Sequence, residues 1–330
     1  MRKHLLPLLL ACLVPGACAQ PQDSGATGTS VAQQPLTSPP LRARLEAVRE
    51  IGDGQPALEP HFSPDGARLA FTGLRYAGLR IASVDGGPVT VLTDQPAAGL
   101  KPAFSPDGKQ IAHLALEADG STLLQVRATT GGEASAVHRA LPTDPRPFPH
   151  YVDGALSFLS ASRFRTLTST LSGPLETPLV AAPVEGGLLV AGKTGVLHGG
   201  KVLLEGRRIF DLSAAPSGRR ALARELSAEG GGALWSLDLA TGSAVQLAGY
   251  DRGCFLSSGQ IVAERLETDG LQLTAGELWL MEADGSRAAR IEGVPVRVPY
   301  RVDCSPKGSL IAFGDDATDR VHVGRLEVAP

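Results

Sequence analysis

The chain has 330 residues, 43% of them apolar and 20% charged, which supports a folded core and excludes global disorder. Its formal charge of −3 excludes a polybasic nucleic-acid binder on bulk electrostatics. The 39 Gly and 25 Pro follow no period, so collagen is excluded and many short turns are implied; aromatics at 5% leave Val, Leu, Ile and Ala to build the core.

The N-terminus reads as an address. Arg2 and Lys3 form a positive segment, a short apolar stretch follows, and Ala17-Cys18-Ala19 gives an A-x-A cleavage pattern, so residues 1–19 are expected to be a secretory signal. Val14-Pro15-Gly16-Ala17-Cys18 also resembles a bacterial lipobox, with Cys18 the lipidation site, although Pro15 stands where that motif prefers an aliphatic residue. Secreted and lipid-anchored forms both fit. Residues 20–40, rich in Gln, Ser, Thr, Gly and Pro, read as a disordered tether. No later stretch is long and apolar enough for a transmembrane span.

Residues 41–330 are organised by a repeat. Pro60-His61-Phe62-Ser63-Pro64-Asp65-Gly66 precedes Arg68-Leu69-Ala70-Phe71, and 42 residues later Pro102-Ala103-Phe104-Ser105-Pro106-Asp107-Gly108 precedes Gln110-Ile111-Ala112-His113. Weaker copies turn at Gly218, Gly259 and Gly308, with Gly154 and Gly186 as two more candidates. In such a turn Pro fixes φ, Asp bonds local backbone and Gly accepts positive φ, so one short apolar strand reverses into another. Two further short strands follow each good copy, as at residues 79–84 and 89–93. Four strands per repeat of this length is the signature of a propeller blade, and seven turn glycines predict an all-β propeller of seven four-stranded blades, or six if one turn is a false copy. Residues 42–51 are expected to supply a strand that closes the ring and removes its exposed edges.

The Pro-x-Phe-Ser-Pro-Asp-Gly turn followed by an Ile-Ala-Phe-like strand resembles the TolB-type β-propeller repeat. The first two copies match closely; Pro216-Ser217-Gly218 lacks the Asp, and residues 144–206 hardly carry the motif. The resemblance implies a narrow central channel, a bacterial periplasmic or envelope setting, and protein partners.

Motifs for catalysis are weak. Gly187-Leu188-Leu189-Val190-Ala191-Gly192-Lys193-Thr194 fits the P-loop expression, but its interior reads as a strand and Gly195-Val196-Leu197-His198-Gly199-Gly200 cannot start a helix, so no nucleotide cofactor is expected. There is no G-x-S-x-G elbow, no H-E-x-x-H pair and no closed Cys/His set, so neither a catalytic nor a metal residue is assigned. Asp315, Asp316 and Asp319 read as a solvated turn, and His113 as a packed histidine with a satisfied hydrogen bond. Cys254 and Cys304, on innermost strands of neighbouring blades, either form a disulfide or remain buried thiols.

Aligning the repeats on the turn glycine is more informative. Seven residues upstream stand Glu59, Lys101, Asp211, Arg252 and Arg301; Arg146 is eight upstream in its repeat. This offset falls where each innermost strand begins, at the channel rim. Lys101, Arg146, Arg252 and Arg301, with Tyr250, Tyr300 and His61 beside them, are the expected ligand or partner site; alternatively these cations merely pair with Glu59, Asp211, Asp251 and Asp303. The reading as a whole is an exported, non-enzymatic binding or scaffold protein of the cell envelope that recognises a protein or peptide. Its alternatives are a propeller hydrolase or lactonase with a central-channel site, and small-anion binding at the cationic rim.

Overall fold

A computed structural model describes residues 40–160, 163–166, 170–171, 178–192, 195–226 and 232–329, with backbone alone between 159 and 179. The expected signal, Cys18 and nearly all of the tether lie outside the described residues. No helix among the described residues is long and apolar enough to cross a membrane.

The described residues form strands, apart from one short 3-10 turn at Leu74–Tyr76. After β1 (Arg42–Ile51) come five four-stranded antiparallel sheets. The first holds β2 (Leu58–Phe62), β3 (Arg68–Thr72), β4 (Leu79–Ser83) and β5 (Thr90–Thr93); the second β6 (Ala103–Phe104), β7 (Gln110–Leu116), β8 (Thr122–Ala128) and β9 (Ser135–Ala140). The third holds β10 (Pro149–Val152), β11 (Ala155–Ser160), β12 (Arg163–Thr166) and β13 (Thr170–Leu171); the fourth β14 (Pro178–Val184), β15 (Gly187–Gly192), β16 (Gly195–His198) and β17 (Lys201–Val202). The fifth holds β18 (Ile209–Ala214), β19 (Arg220–Leu226), β20 (Gly232–Asp238) and β21 (Ser243–Leu247). An eight-stranded sheet completes the set, with β22 (Arg252–Phe255), β23 (Ile261–Thr268), β24 (Leu273–Met281), β25 (Ala288–Glu292), β26 (Pro299–Cys304), β27 (Leu310–Asp315) and β28 (Arg320–Ala329) in the order β22-β23-β24-β25-β1-β28-β27-β26. The segment with the P-loop pattern is therefore strand β15 as far as Gly192.

Each turn glycine joins the first two strands of a run of four, and all seven have positive φ. In the first copy Ser63 Oγ donates to Asp65 Oδ1 (2.5 Å), which also accepts from the Ala67 N–H (3.0 Å); Ser105 and Asp107 repeat the arrangement. These hydrogen bonds hold both carboxyls below the ordinary Asp range. In the last copy Lys307 replaces the Asp, and Ser305 Oγ donates to the Lys307 carbonyl oxygen instead (2.6 Å).

Hydrophobic burial takes place between sheets. Leu69, Phe71 and Ala82 of the first sheet pack on Ala312, Val321 and Val323; Ala112, Leu114 and Leu124 meet Leu156 and Phe158; Leu222 and Leu234 meet Phe255, Ile261 and Met281. Ala70, Ala112, Ala263 and Ala312 all lie four residues after their turn glycine and are fully buried, while Phe158 and Leu222 take the same place in their repeats and are also buried. Closure comes from β1, which pairs antiparallel with β28 from Arg42↔Ala329 to Ile51↔Val321 and parallel with β25 at Ala43↔Ile291. Its Leu45 is buried against Gly324, where a Cβ would stand 2.8 Å from the leucine side chain.

His113 bridges two sheets. Its Nδ1–H donates to the Leu114 carbonyl oxygen (3.0 Å) and its Nε2 accepts from Arg127 (3.0 Å), whose guanidinium also reaches the Leu92 carbonyl of the first sheet. Burial lowers its pKa to about 4. Because the folded pKa lies below the unfolded one, this contribution is complete above pH 6.5 and is lost as pH falls toward 4, by roughly 3 kcal/mol. Urea unfolding of wild type and His113→Gln between pH 7 and pH 4 is expected to show the flatter acid limb in the variant. At neutral pH, Leu45→Ala is expected to cost about 2–5 kcal/mol in the same assay.

Candidate functional site

The first strands of the runs stand side by side around a central cavity of about 610 Å³. Local backbone geometry aims side chains into it. Glu59, Lys101 and Arg301 occupy the same repeat position and all adopt left-handed φ (51°, 51° and 57°). At Glu59 and Arg301 the strand pairing slips, between Leu58 and His61 and between Tyr300 and Asp303; the β18 pairing slips at Asp211. A bulge re-aims a side chain, and a non-Gly left-handed residue costs about 1–2 kcal/mol, so a strained conformation is repeated where the cavity is lined.

The charges thus brought together form one chain of ion pairs. Lys101 Nζ stands 2.6 Å from Asp211, whose carboxylate also faces Arg224 at 3.5 Å and Arg252 at 3.7 Å. Arg252 reaches Glu59 at 3.2 Å, and Glu59 also pairs with Arg301. Arg301 donates to the Tyr76 hydroxyl (2.9 Å) and lies against the Tyr76 and Tyr300 rings. Despite its burial, Asp211 is held below the ordinary Asp range by Lys101 and Arg252.

Two further carboxyls lie deeper in the wall. Glu264 accepts from the Val302 N–H, and Asp303 from the Phe62 N–H (2.8 Å). Each therefore ties two neighbouring first strands or their hairpins together, and burial pushes both pKa values up. Burial lowers His61, and His150 to about 4, so both imidazoles are neutral at pH 7. Cys254 and Cys304 are joined as a disulfide, Cα–Cα 5.5 Å, between β22 and β26 at this wall.

Of the expected rim residues, Lys101, Arg252, Arg301, Tyr300 and His61 line the cavity. Arg146 and Tyr250 do not. Arg146 sits exposed in the connection before β10, because Pro147 and Phe148 separate it from the strand that faces the channel. Tyr250 packs against Trp279 and the Leu222–Leu234–Phe255 cluster between sheets, in the connection that precedes β22. Sequence alignment missed Arg224, Glu264, Tyr76 and Phe210, which come from second strands, a 3-10 turn and a flanking position outside the repeat offset. Asp316 and Asp319 are turn residues, but Asp315 ends β27 and is buried rather than solvated, because its carboxylate accepts from the Ala317 N–H (3.2 Å) and from Thr318 Oγ1 (2.6 Å). Among the described residues no three His, Cys, Asp or Glu side chains converge as a metal site.

The two ends of the channel differ chemically. The Ser-Pro-Asp-Gly turns and the third-to-fourth-strand turns, such as Asp85-Gly86 and Asp284-Gly285, share the polar end. Of the ten exposed large apolar side chains among the described residues, six lie at the other end, where Glu59, Lys101 and Arg301 sit: Leu74, Leu116, Leu141, Phe210, Leu226 and Leu271. Leu271 is 84% exposed, at the tip of the β23–β24 hairpin, which runs beyond the start of β22 and contributes Leu266 and Leu273 to the cavity wall.

No protein-family model and no curated protein matches this chain. Solved structures do. The β-propeller domain of Cps50 (Swd1) from Myceliophteria thermophila aligns with TM-score 0.57 at 12% identity, over 83% of this chain and 98% of that one. The chain is a β-propeller. A chain of a mitotic checkpoint complex aligns at 0.54 with 15% identity, over 95% and 99%, and a putative TolB from Agrobacterium tumefaciens at 0.47 with 15% identity, over 88% and 99%. These likenesses are of fold.

Glu59 is the carboxylate shared by two guanidinium groups, and it is buried. Glu59→Ala would leave part of that positive charge without its counter-ion and is expected to cost about 3–5 kcal/mol in urea unfolding.

Proposed function

We propose that this propeller is a non-enzymatic scaffold that binds a protein or peptide on the end of the channel bearing the exposed leucines. The observation that carries the reading is the asymmetry of the two ends: apolar side chains gather around one mouth, while the other is built from Gly, Asp and Ser turns. Arginine and tyrosine at the centre with apolar groups around them is also a composition favoured at protein interfaces. A propeller of similar fold is a component of a mitotic checkpoint complex, which agrees with this use of the architecture. The hydrolase alternative requires carboxylates free to hold a metal or activate water, whereas Glu59 and Asp211 are engaged by Arg and Lys.

Finer features belong to the same proposal. The eight-stranded sheet is read as two blades joined by β1, which makes the ring sevenfold. Export to the periplasm or cell envelope is supported by the Arg2-Lys3 and Ala17-Cys18-Ala19 pattern and by a disulfide, which persists in an oxidising compartment. Cys18 is the site for a lipid anchor.

The test is a crosslinked pull-down from envelope extract. Leu141→Asp/Leu271→Asp is expected to reduce recovery of the specific partner at least tenfold, with the unfolding midpoint unchanged, while Asp85→Lys/Glu133→Lys on the opposite end leaves recovery intact. Equal recovery with both variants, or no specific partner with wild type, would overturn the proposal.

A further inference from the structure

We propose that the channel mouth is a receptor for a carboxylate carried on the partner's own chain, and that Asp211 is a resident counter-ion which competes with it. The inference rests on the scaffold reading for the source of the ligand and adds its chemistry.

Four cations line the cavity: Lys101, Arg224, Arg252 and Arg301. Four acids line it as well, and two of them, Glu59 and Asp211, pair with these cations. The other two lining acids are otherwise occupied. Glu264 and Asp303 are buried and bonded to main-chain N–H groups, and burial pushes both toward the neutral form. The lining imidazoles add no charge at pH 7.

The geometry around Asp211 shows where a second carboxylate fits. Lys101 holds Asp211 at hydrogen-bond distance; Arg224 and Arg252 stand 3.5 and 3.7 Å from it, Arg224 also donating to the Asp251 carbonyl oxygen (2.8 Å) and Arg252 to Glu59 (3.2 Å). One carboxylate is thus shared among three cations, two of which carry the planar fork that carboxylates engage bidentately. The cavity volume is within the range of real ligand sites. Its flanks are apolar, with Phe210, Leu266 and Leu273 beside the cations. A segment that alternates acidic and apolar residues satisfies both parts, and the exposed leucines around the mouth would meet the rest of the partner.

The experiment uses fluorescence anisotropy with acetylated, amidated and labelled hexapeptides: alternating Glu/Leu, and the same peptide with Gln or Lys replacing Glu. The Glu peptide is expected to bind at least tenfold more tightly than the Gln peptide, to weaken from 20 to 200 mM NaCl, and to leave the Lys peptide unbound. Asp211→Asn should tighten binding of the Glu peptide at least threefold by removing the competitor, and Lys101→Gln should weaken it at least tenfold; thermal melts establish that both variants are folded. If Asp211→Asn does not fold, Lys101→Gln and the Glu-against-Gln comparison decide. Equal binding of the Glu and Gln peptides, or weaker Glu binding by folded Asp211→Asn, overturns the inference. Free glutarate binding as tightly as the peptide would also overturn it, by assigning the site to a small dicarboxylate. Leucine-dependent partner recovery in the pull-down with no binding of the Glu peptide would defeat this inference and leave the scaffold standing.

Discussion

Every sheet in this molecule is buried only because its two neighbours stand against its faces. There is no single core. Small side chains at Ala70, Ala112, Ala263 and Ala312 and larger ones such as Phe71 and Phe313 fill the wedge between successive sheets. A first and a last sheet would each have one uncovered face and an open edge, so closing the ring is a condition for stability. Strand β1 meets that condition by joining the last sheet although it comes first in the chain.

The same arrangement creates the channel. First strands converge, and residues at one repeat position come within a few ångströms although they are far apart in sequence; Arg252 and Glu59 are separated by 193 positions. Charges of one sign crowded in this way would repel, and the alternation of Glu59, Lys101, Asp211, Arg252 and Arg301 resolves the repulsion through shared ion pairs. The cost lies in backbone strain at three left-handed residues and in buried acids whose charged form burial disfavours.

Much of this was legible in the residues because a repeat converts sequence offset into spatial position. The seven turn glycines, the closing strand and the rim position seven residues before five of those glycines all follow from that one rule. The degenerate turns at Gly154 and Gly186 hold their places without Ser-Pro-Asp, through positive φ at Asp153-Gly154 and at Gly186-Gly187. Legibility ended where a residue reached the site by another route. Arg224 and Glu264 arrive from second strands, whose side-chain alternation places them in the channel without any motif, and Tyr76 arrives from an irregular turn. Tyr250 failed in the opposite sense: it stands two residues before the rim position Arg252, in the connection ahead of β22, and its ring packs between sheets. The asymmetry of the two ends could not be seen either, because it depends on which turns share an end.

The Cys254–Cys304 bond joins β22 to β26 near the axis, and the parallel pairing of β25 with β1 joins the same two four-stranded units at the perimeter. That pair is therefore fastened at both its inner and its outer radius. Among the described residues the other interfaces show side-chain packing and polar bridges, with neither a disulfide nor a shared sheet. A pulling force or a swelling solvent would find this sector the hardest to part, and the ring would spring open elsewhere with the doubled wedge still intact.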